Sequence, residues 1–233
     1  MTRRVIILRP QPGADATESA ARAMGLETLL YPLFEIAPLG WPAPEPDAFD
    51  ALMLTSANAA RHAGPDLMRY AALPLYVVGE ATAKAAHAVS LEPAHIGARD
   101  AAALVEDMRR AGVRRALHLC GADVVAAAVE GVSIRRIPVY HAREAGDADS
   151  LAAQLRADDI CLVHSPRAGA RLAALVPPEQ RANVSLIAIS GSALTAAGTG
   201  WADALAAPAP TDPAMLALAQ ELCHKPGDAA RRR

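Results

Sequence analysis

The chain has 233 residues, of which 52% are hydrophobic, 21% charged and 3% aromatic. This composition supplies ample apolar material for a core and excludes wholesale disorder. The 23 basic and 25 acidic residues leave a formal charge of -2, so no overall field attracts nucleic acid or an anionic membrane, and any anion site is local. The length fits two compact lobes of roughly 100 residues each.

The cysteines and the start of the chain indicate a reduced, non-membrane setting. Cys120, Cys161 and Cys223 lie far apart and form no CxxC pair, which predicts small buried or half-buried side chains rather than disulfides or a zinc knuckle. The apolar run before Arg9 has only four residues, too few for a signal peptide or a membrane span. We therefore expect a cytoplasmic protein that contacts no membrane.

Short β-type runs alternate with alanine-rich helical stretches along the chain, a pattern typical of parallel sheets covered by helices on both faces. The predicted strands are, in chain order, 5–8, 28–31, 51–54, 75–78, 116–119, 134–140, 160–163, 186–189 and 204–207. Helices are predicted at 14–24, where Gly25 ends the helix, and at 213–222. The tail from Lys225 is predicted to be unstructured.

Two stretches divide this series. Residues 34–50 contain Pro38, Pro42, Pro44 and Pro46, which predicts a linker rather than a core element. The polar stretch 141–150 suits a second crossing between lobes.

These linkers predict an inserted domain. The first two strands are too few for a sheet with a buried face, and the block after residue 146 lacks a first unit of its own. Both deficits vanish if the chain end folds back onto its beginning. We predict two doubly wound, flavodoxin-like α/β lobes: 1–35 plus 145–233, and 39–138, joined by linker strands 34–39 and 138–145. A plain sequential pair of domains is the competing layout.

Hydroxyl-bearing residues or glycines follow several predicted strands. In open α/β sheets, ligands bind beyond the carboxyl ends of the strands, where helix N-termini present amide groups. Each such residue is also an ordinary helix cap or turn residue. As a set they favour a cleft that binds an anion through hydroxyls and backbone amides. The corner residues are Thr55, Ser56, Gly79, Thr82, Gly121, Ser165, Ser190 and Ser192.

Other chemistries are not indicated. The chain contains no HExxH, GxGxxG after the first strand, GxxxxGK[ST] or GxSxG pattern, so we expect no metal, dinucleotide or ATP site.

Tyr140 is a candidate catalytic residue, because it ends a predicted strand at the second linker. There its phenol could donate a proton to a leaving oxygen. A packed or hinge-stabilising tyrosine is the alternative interpretation.

Eight short motifs occur in the order found in the uroporphyrinogen-III synthase family, which the chain therefore resembles over nearly its whole length. The motifs are ILRP, YPLFEIAP, LTSANA, VVGEATA, a strand ending in Gly121, PVYHARE, HSPRAGA and AISGSALTAAG. The resemblance implies an enzyme that takes hydroxymethylbilane, expels its terminal hydroxyl and closes the macrocycle with inversion of ring D. The family uses no metal or cofactor, and its fold is two α/β lobes joined by a two-stranded linker.

The resemblance also implies roles for particular residues. Tyr140 matches the tyrosine favoured as proton donor to the departing hydroxyl. The substrate carries eight carboxylates, which hydroxyls, amides and arginines can bind. The implied binding residues are Arg9, Thr55, Ser56, Asn58, Gly79, Thr82, Gly121, Ser165, Arg167, Ser190 and Ser192. We expect a monomer, with transient contact to the preceding pathway enzyme as a further possibility.

The chain departs from the family pattern at two places. Ser190-Gly191-Ser192-Ala193 stands where relatives carry threonines, so Ser192 would have to serve as donor. Residues 122–131 contain no arginine, although relatives often have one there. Two rival functions remain at this point: a two-lobed protein that binds a carboxylate ligand without catalysis, and a scaffold that has lost the corner donors.

Overall fold

The computed structural model describes residues 3–123 and 130–224. The chain divides into two compact units. Unit 1 comprises Met1–Glu35 and Glu144–Arg233, and unit 2 comprises Ile36–Arg143. The predicted unstructured tail and most of the arginine-free stretch 122–131 lie outside the described residues.

Strands and helices alternate through the described chain. The strands are β1 Arg4–Ile7, β2 Glu27–Leu30, β3 Phe34–Pro38, β4 Ala51–Leu54, β5 Leu75–Val78, β6 Pro93–Gly97, β7 Arg115–Gly121, β8 Ser133–Glu144, β9 Ile160–Val163, β10 Ser185–Ala188 and β11 Ala204–Ala206. The helices are α1 Gly13–Ala23, α2 Ala57–His62, α3 Glu80–His87, α4 Ala101–Arg110, α5 Ala148–Gln154, α6 Pro166–Leu175, α7 Pro178–Arg181, α8 Gly191–Ala196 and α9 Asp212–His224. Short 3₁₀ turns occur at Pro46–Ala48 and Pro65–Tyr70.

Unit 1 contains a five-stranded sheet in the order β11-β10-β9-β1-β2, with parallel pairing throughout. The strand from the chain start therefore lies beside one from the second half: Val5 pairs with Ile160 and Ile7 with Leu162. Helices α1 and α9 pack on one face, where Ala21 and Met215 join the core, and α6 and α8 contact β9 and β10. The predicted sheet built from both chain ends is confirmed.

Unit 2 contains a six-stranded sheet in the order β3-β8-β7-β4-β5-β6. The β8-β7, β7-β4, β4-β5 and β5-β6 pairs are parallel. Residues on opposite faces of β4 enter different clusters: Leu52 packs with α2 and α3 residues, whereas Met53 packs with Leu104 and Met108 of α4. Helices thus cover both faces, which confirms the predicted doubly wound class.

The structure corrects the interpretation of residues 34–50 as excluded from the core. Phe34 and Phe49 at the two ends of this stretch are only 5% and 7% exposed, and 34–38 form β3. The prolines lie between the two buried aromatic side chains, so proline content alone concealed their packing. The cysteine prediction is confirmed, since Cys120 and Cys161 are buried, Cys223 is half-buried, and all three are free.

A buried ion pair fastens β1 to the turn that enters β9. Arg4 Nε and Nη2 donate to Oδ1 and Oδ2 of Asp159 at 3.2 and 2.8 Å. Arg4 Nη2 also donates to the Gln154 carbonyl at 2.6 Å, and the Arg156 amide donates to Asp159 at 2.8 Å. The two charged side chains are only 9% and 3% exposed. Because both charges are desolvated, each depends on the other for compensation.

We expect Asp159→Asn to lower the free energy of unfolding by about 3 kcal/mol or more, because it leaves the Arg4 guanidinium buried without its counter-charge. Urea unfolding monitored by circular dichroism measures the loss. Glu18→Gln is the matched control in the same unit, since its partner Arg22 is 65% exposed. That exposed pair should contribute less than about 1 kcal/mol. Equal small losses in both variants would contradict a stabilising role for the buried pair.

Candidate active site

A cavity of about 320 Å³ lies in unit 2 where β4 and β7 end and β8 continues past them. These three strands are neighbours in the sheet, so residues far apart in sequence meet at one edge. The lining residues are Thr55, Ser56, Gly121, Ala122, Asp123, Tyr140, His141 and Ala142. The structure thus brings together four of the predicted site residues: Thr55, Ser56, Gly121 and Tyr140.

Tyr140 lies beside Gly121 in the ladder between β7 and β8. The register shifts between Cys120 and Gly121, which places Gly121 opposite Tyr140. A Cβ at residue 121 would lie 2.8 to 2.9 Å from Cζ, Cε2 and Oη of the tyrosine, closer than side-chain packing allows. Glycine is therefore needed here for the close approach of the phenol. The tyrosine ring is half-buried, packs against the unit 2 core and lies 6.2 Å from the His62 ring.

A buried histidine contacts Thr55. His118 lies in β7, is 2% exposed and places Nε2 at 2.9 Å from Oγ1 of Thr55. Burial, with the charge of Arg136 as a second cause, lowers the pKa of His118 to about 4. The imidazole is therefore neutral at pH 7, and the contact joins two neutral groups.

The other predicted residues of unit 2 do not line this cavity. Asn58 donates its amide to the Ser56 capping hydroxyl at 3.2 Å, and its Oδ1 accepts from Arg61 at 3.3 Å. Gly79 precedes α3 with a φ of 75°, a conformation that glycine adopts readily. Thr82, in the first turn of α3, is 4% exposed. Their contacts serve the local helix starts, and their role in binding stays a prediction.

The predicted serines of unit 1 lie at two neighbouring strand ends, because β9 and β10 are adjacent. Ser165 accepts the Ala168 amide at 3.1 Å, and Ser190 accepts the Ala193 amide at 3.3 Å, so each caps a helix. The Ser190 hydroxyl also lies 3.0 Å from that of Ser192. Ser192 is exposed, as a donor to an external carboxylate must be.

The two predicted arginines differ in surroundings. Arg9 Nη1 lies 3.1 Å from both carboxylate oxygens of Asp212 and 3.4 Å from the Thr17 hydroxyl. Its charge already has a carboxylate partner within unit 1. Arg167 is exposed, and its guanidinium lies 4.5 Å from the centre of the Phe34 ring, a cation–π arrangement.

Sequence reasoning missed a polar cluster around Asp212, the first residue of α9. His164 Nε2 lies 3.1 Å from Asp212 Oδ1, and the histidine side chain is 7% exposed. Burial is the main cause that lowers the pKa of His164 to about 4, and Arg9 adds to the shift. An acidic residue directly before Pro213 is a sequence signal for a helix start. Nothing in the sequence places Asp212 beside Arg9 or His164.

His118 was also missed, and no local signal identifies it. It is separated from Thr55 by 63 positions and is flanked in its strand by apolar residues, Leu117 and Leu119. Only the pairing of β7 with β4 brings the two side chains together.

Within residues 3–123 and 130–224, no group of three or more His, Cys, Asp or Glu side chains is arranged to hold a metal ion. No helix in that part of the chain is long and apolar enough to span a membrane. The unit 2 cavity instead offers hydroxyls, backbone at a glycine, a phenol and an imidazole, with Asp123 as an acidic lining residue. Such groups can bind carboxylates and transfer a proton to oxygen.

Comparison with known proteins connects this geometry to a family. A family sequence model described as uroporphyrinogen-III synthase HemD matches residues 15–217. A search of curated proteins found no match. Uroporphyrinogen-III synthetase from Helicobacter pylori is similar in structure, with a TM-score of 0.66 and 19% identity over 94% of this chain and 99% of that one.

A mutant uroporphyrinogen III synthase from the extremely thermophilic bacterium Thermus thermophilus aligns with a TM-score of 0.47 and 16% identity, covering 96% of this chain and 100% of that one. The Helicobacter likeness supports the two-lobed α/β fold, and the family match extends across both units. The chain belongs to the uroporphyrinogen-III synthase family, and its function lies in tetrapyrrole biosynthesis.

Proposed function

We propose that the chain is a cyclising hydro-lyase that converts hydroxymethylbilane to uroporphyrinogen III, with inversion of ring D and loss of water. The observation that carries the proposal is the position of Tyr140. Its phenol lines a cavity together with the Thr55 and Ser56 hydroxyls, in a chain of this family.

The reaction requires a proton at the departing oxygen and control over how the two ends of the linear tetrapyrrole meet. The Tyr140 phenol donates a proton as the terminal C–O bond breaks, so that water leaves and a protonated azafulvene remains beside the tyrosinate. Unassisted closure would join the ends without inversion. The protein therefore holds the linear tetrapyrrole folded, so that the substituted carbon of ring D attacks the azafulvene carbon. A spiro intermediate then fragments and recombines, and the proton that the free α-carbon of ring D loses on ring closure returns to the Tyr140 oxygen. Positioning supplies most of the selectivity.

Binding of the substrate carboxylates rests on donors at the strand ends. In unit 2 these are Thr55 and Ser56 at the cavity, with Asn58 and Gly79 on the neighbouring helix starts. Thr82 contributes less, because it is 4% exposed. In unit 1 the exposed Ser192 and Arg167 are the more accessible donors. Arg9 contributes less, because Asp212 already occupies its Nη1 group.

The domain boundaries, the location in the cell and the oligomeric state are also proposals. We propose domains at 1–35 plus 145–233 and at 39–138, in a cytoplasmic monomer that makes transient contact with the enzyme supplying its substrate. In support of the monomer, Met68 and Ile96 are the large hydrophobic side chains found exposed in the described part of the chain. Two such side chains are fewer than a large apolar patch requires.

The proposed reaction is tested by feeding the purified protein with enzymatically generated hydroxymethylbilane and separating the oxidised porphyrins by isomer. We expect the type III isomer to increase with protein concentration at the expense of type I, which forms spontaneously. A two-lobed binding protein or a scaffold without activity would leave type I as the sole product at every protein concentration.

We expect Tyr140→Phe to slow turnover by about 100-fold, at the lower end of what a general acid contributes, without abolishing it. The residual product should still be type III, because positioning does not depend on the phenolic proton. Initial rates by the isomer assay measure the effect. Tyr76→Phe in β5 is the control and should retain the parental rate. Complete inactivity of a folded Tyr140→Phe protein would contradict this division of roles.

Gly121→Ala tests the placement of the phenol while leaving it in the chain. Its new Cβ would meet the end of the Tyr140 side chain, which can swing away, so folding should persist while kcat falls toward that of Tyr140→Phe. Gly40→Ala is the control, since no atom of the described residues lies within 4 Å of a Cβ there. An unchanged kcat in folded Gly121→Ala would show that the proton donor need not lie against residue 121.

A further inference from the structure

His118 is a buried polar residue in a central strand of unit 2, where a hydrophobic side chain would be the usual choice. It pairs with Met53 of β4 on one side and with Arg136 of β8 on the other. Its neighbour two positions earlier, Ala116, belongs to an apolar cluster that also includes Met53. Burying an imidazole in such surroundings costs free energy unless the ring is hydrogen-bonded.

The hydrogen bond to Thr55 accounts for this placement. Side chains alternate between the two faces of a strand, so Met53 and Thr55 share the face that carries His118. Thr55 lies one position beyond the end of β4 and lines the cavity. The histidine therefore contacts the hydroxyl of a residue that lines the cavity.

The direction of this hydrogen bond decides what Thr55 can offer a ligand. If Nε2 carries the imidazole proton, it donates to Oγ1, and the threonine proton is available to the cavity. If Nε2 lacks the proton, the threonine must donate inward, and only its lone pairs face the cavity. A carboxylate accepts hydrogen bonds and donates none, so a polycarboxylate substrate needs the first arrangement.

We propose that His118 is a positioning residue that donates from Nε2 to Thr55 and so presents the Thr55 hydroxyl as a donor to a carboxylate of the substrate. This inference rests on the proposed function, because that function supplies the carboxylate. It concerns affinity and orientation at the cavity, whereas proton transfer is assigned to Tyr140.

A double-mutant cycle tests the link between the two residues. We expect Thr55→Val and His118→Leu each to raise KM for hydroxymethylbilane about tenfold, the effect of one lost hydrogen bond, with a smaller change in kcat. The double variant should be no worse than Thr55→Val alone, because His118 acts through Thr55. His118→Gln should recover part of the affinity, since its amide nitrogen can donate to the threonine.

Two controls separate this role from a merely structural one. His87→Leu changes an exposed histidine of the same unit, 48% exposed, and should leave KM unchanged. Urea unfolding of each variant reports its stability. A structural histidine would lower stability and impair Thr55→Val further, so additive effects on KM would overturn the proposal.

Long-range ¹H–¹⁵N correlation spectra of the unmutated protein give a readout that needs neither a variant nor activity. We expect the protonated nitrogen of His118 to be Nε2, and an unprotonated Nε2 would overturn the proposal. A protein that forms only the type I product contradicts the proposed function. An unprotonated Nε2 or additive KM values in an active protein contradict this inference alone.

Discussion

The Arg4–Asp159 ion pair joins the first strand of the chain to the turn that enters β9. Without partners from the second half of the chain, β1 and β2 would form a two-stranded sheet with no covered face, which is not stable alone. Beside β9 the same strand becomes fully buried, and the two charges compensate each other in a site that is largely shielded from water. Unit 1 therefore exists only when both ends of the chain are present, and unit 2 is the segment inserted between them.

The site in unit 2 also depends on the pairing of strands that are distant in sequence. Parallel strands end at one edge, so Thr55, Gly121 and Tyr140 meet although they lie far apart along the inserted segment. Two contacts shape this edge: Gly121 lacks a Cβ, which admits the Tyr140 ring, and His118 in the intervening strand contacts Thr55. The proposed proton donor, Tyr140, thus lies at the same edge as the Thr55 hydroxyl, which His118 contacts from within the sheet.

Strand positions could be predicted well because continuous apolar runs such as 51–54 and 160–163 are buried on both faces. Of the described strands, β6 was not predicted. The β6 sequence Pro-Ala-His-Ile-Gly begins with a proline, is interrupted by His95 and lies at the sheet edge, so it lacks the continuous apolar run that marks a central strand. Phe34 and Phe49 were hidden by the prolines between them. At the site, hydroxyls at strand ends were visible in sequence, whereas Thr82 is buried and Arg9 has an acidic partner in α9.

By itself the sequence determined the α/β class, the family and the strand-end residues, because hydrophobic periodicity and short motifs are local properties of the chain. Only the tertiary structure decided which of these residues share a cavity and which are committed to other contacts. His118 beside Thr55, and Asp212 beside Arg9 and His164, are contacts across long stretches of sequence. Strand order and register create such contacts, and neither has a signature at the residues themselves.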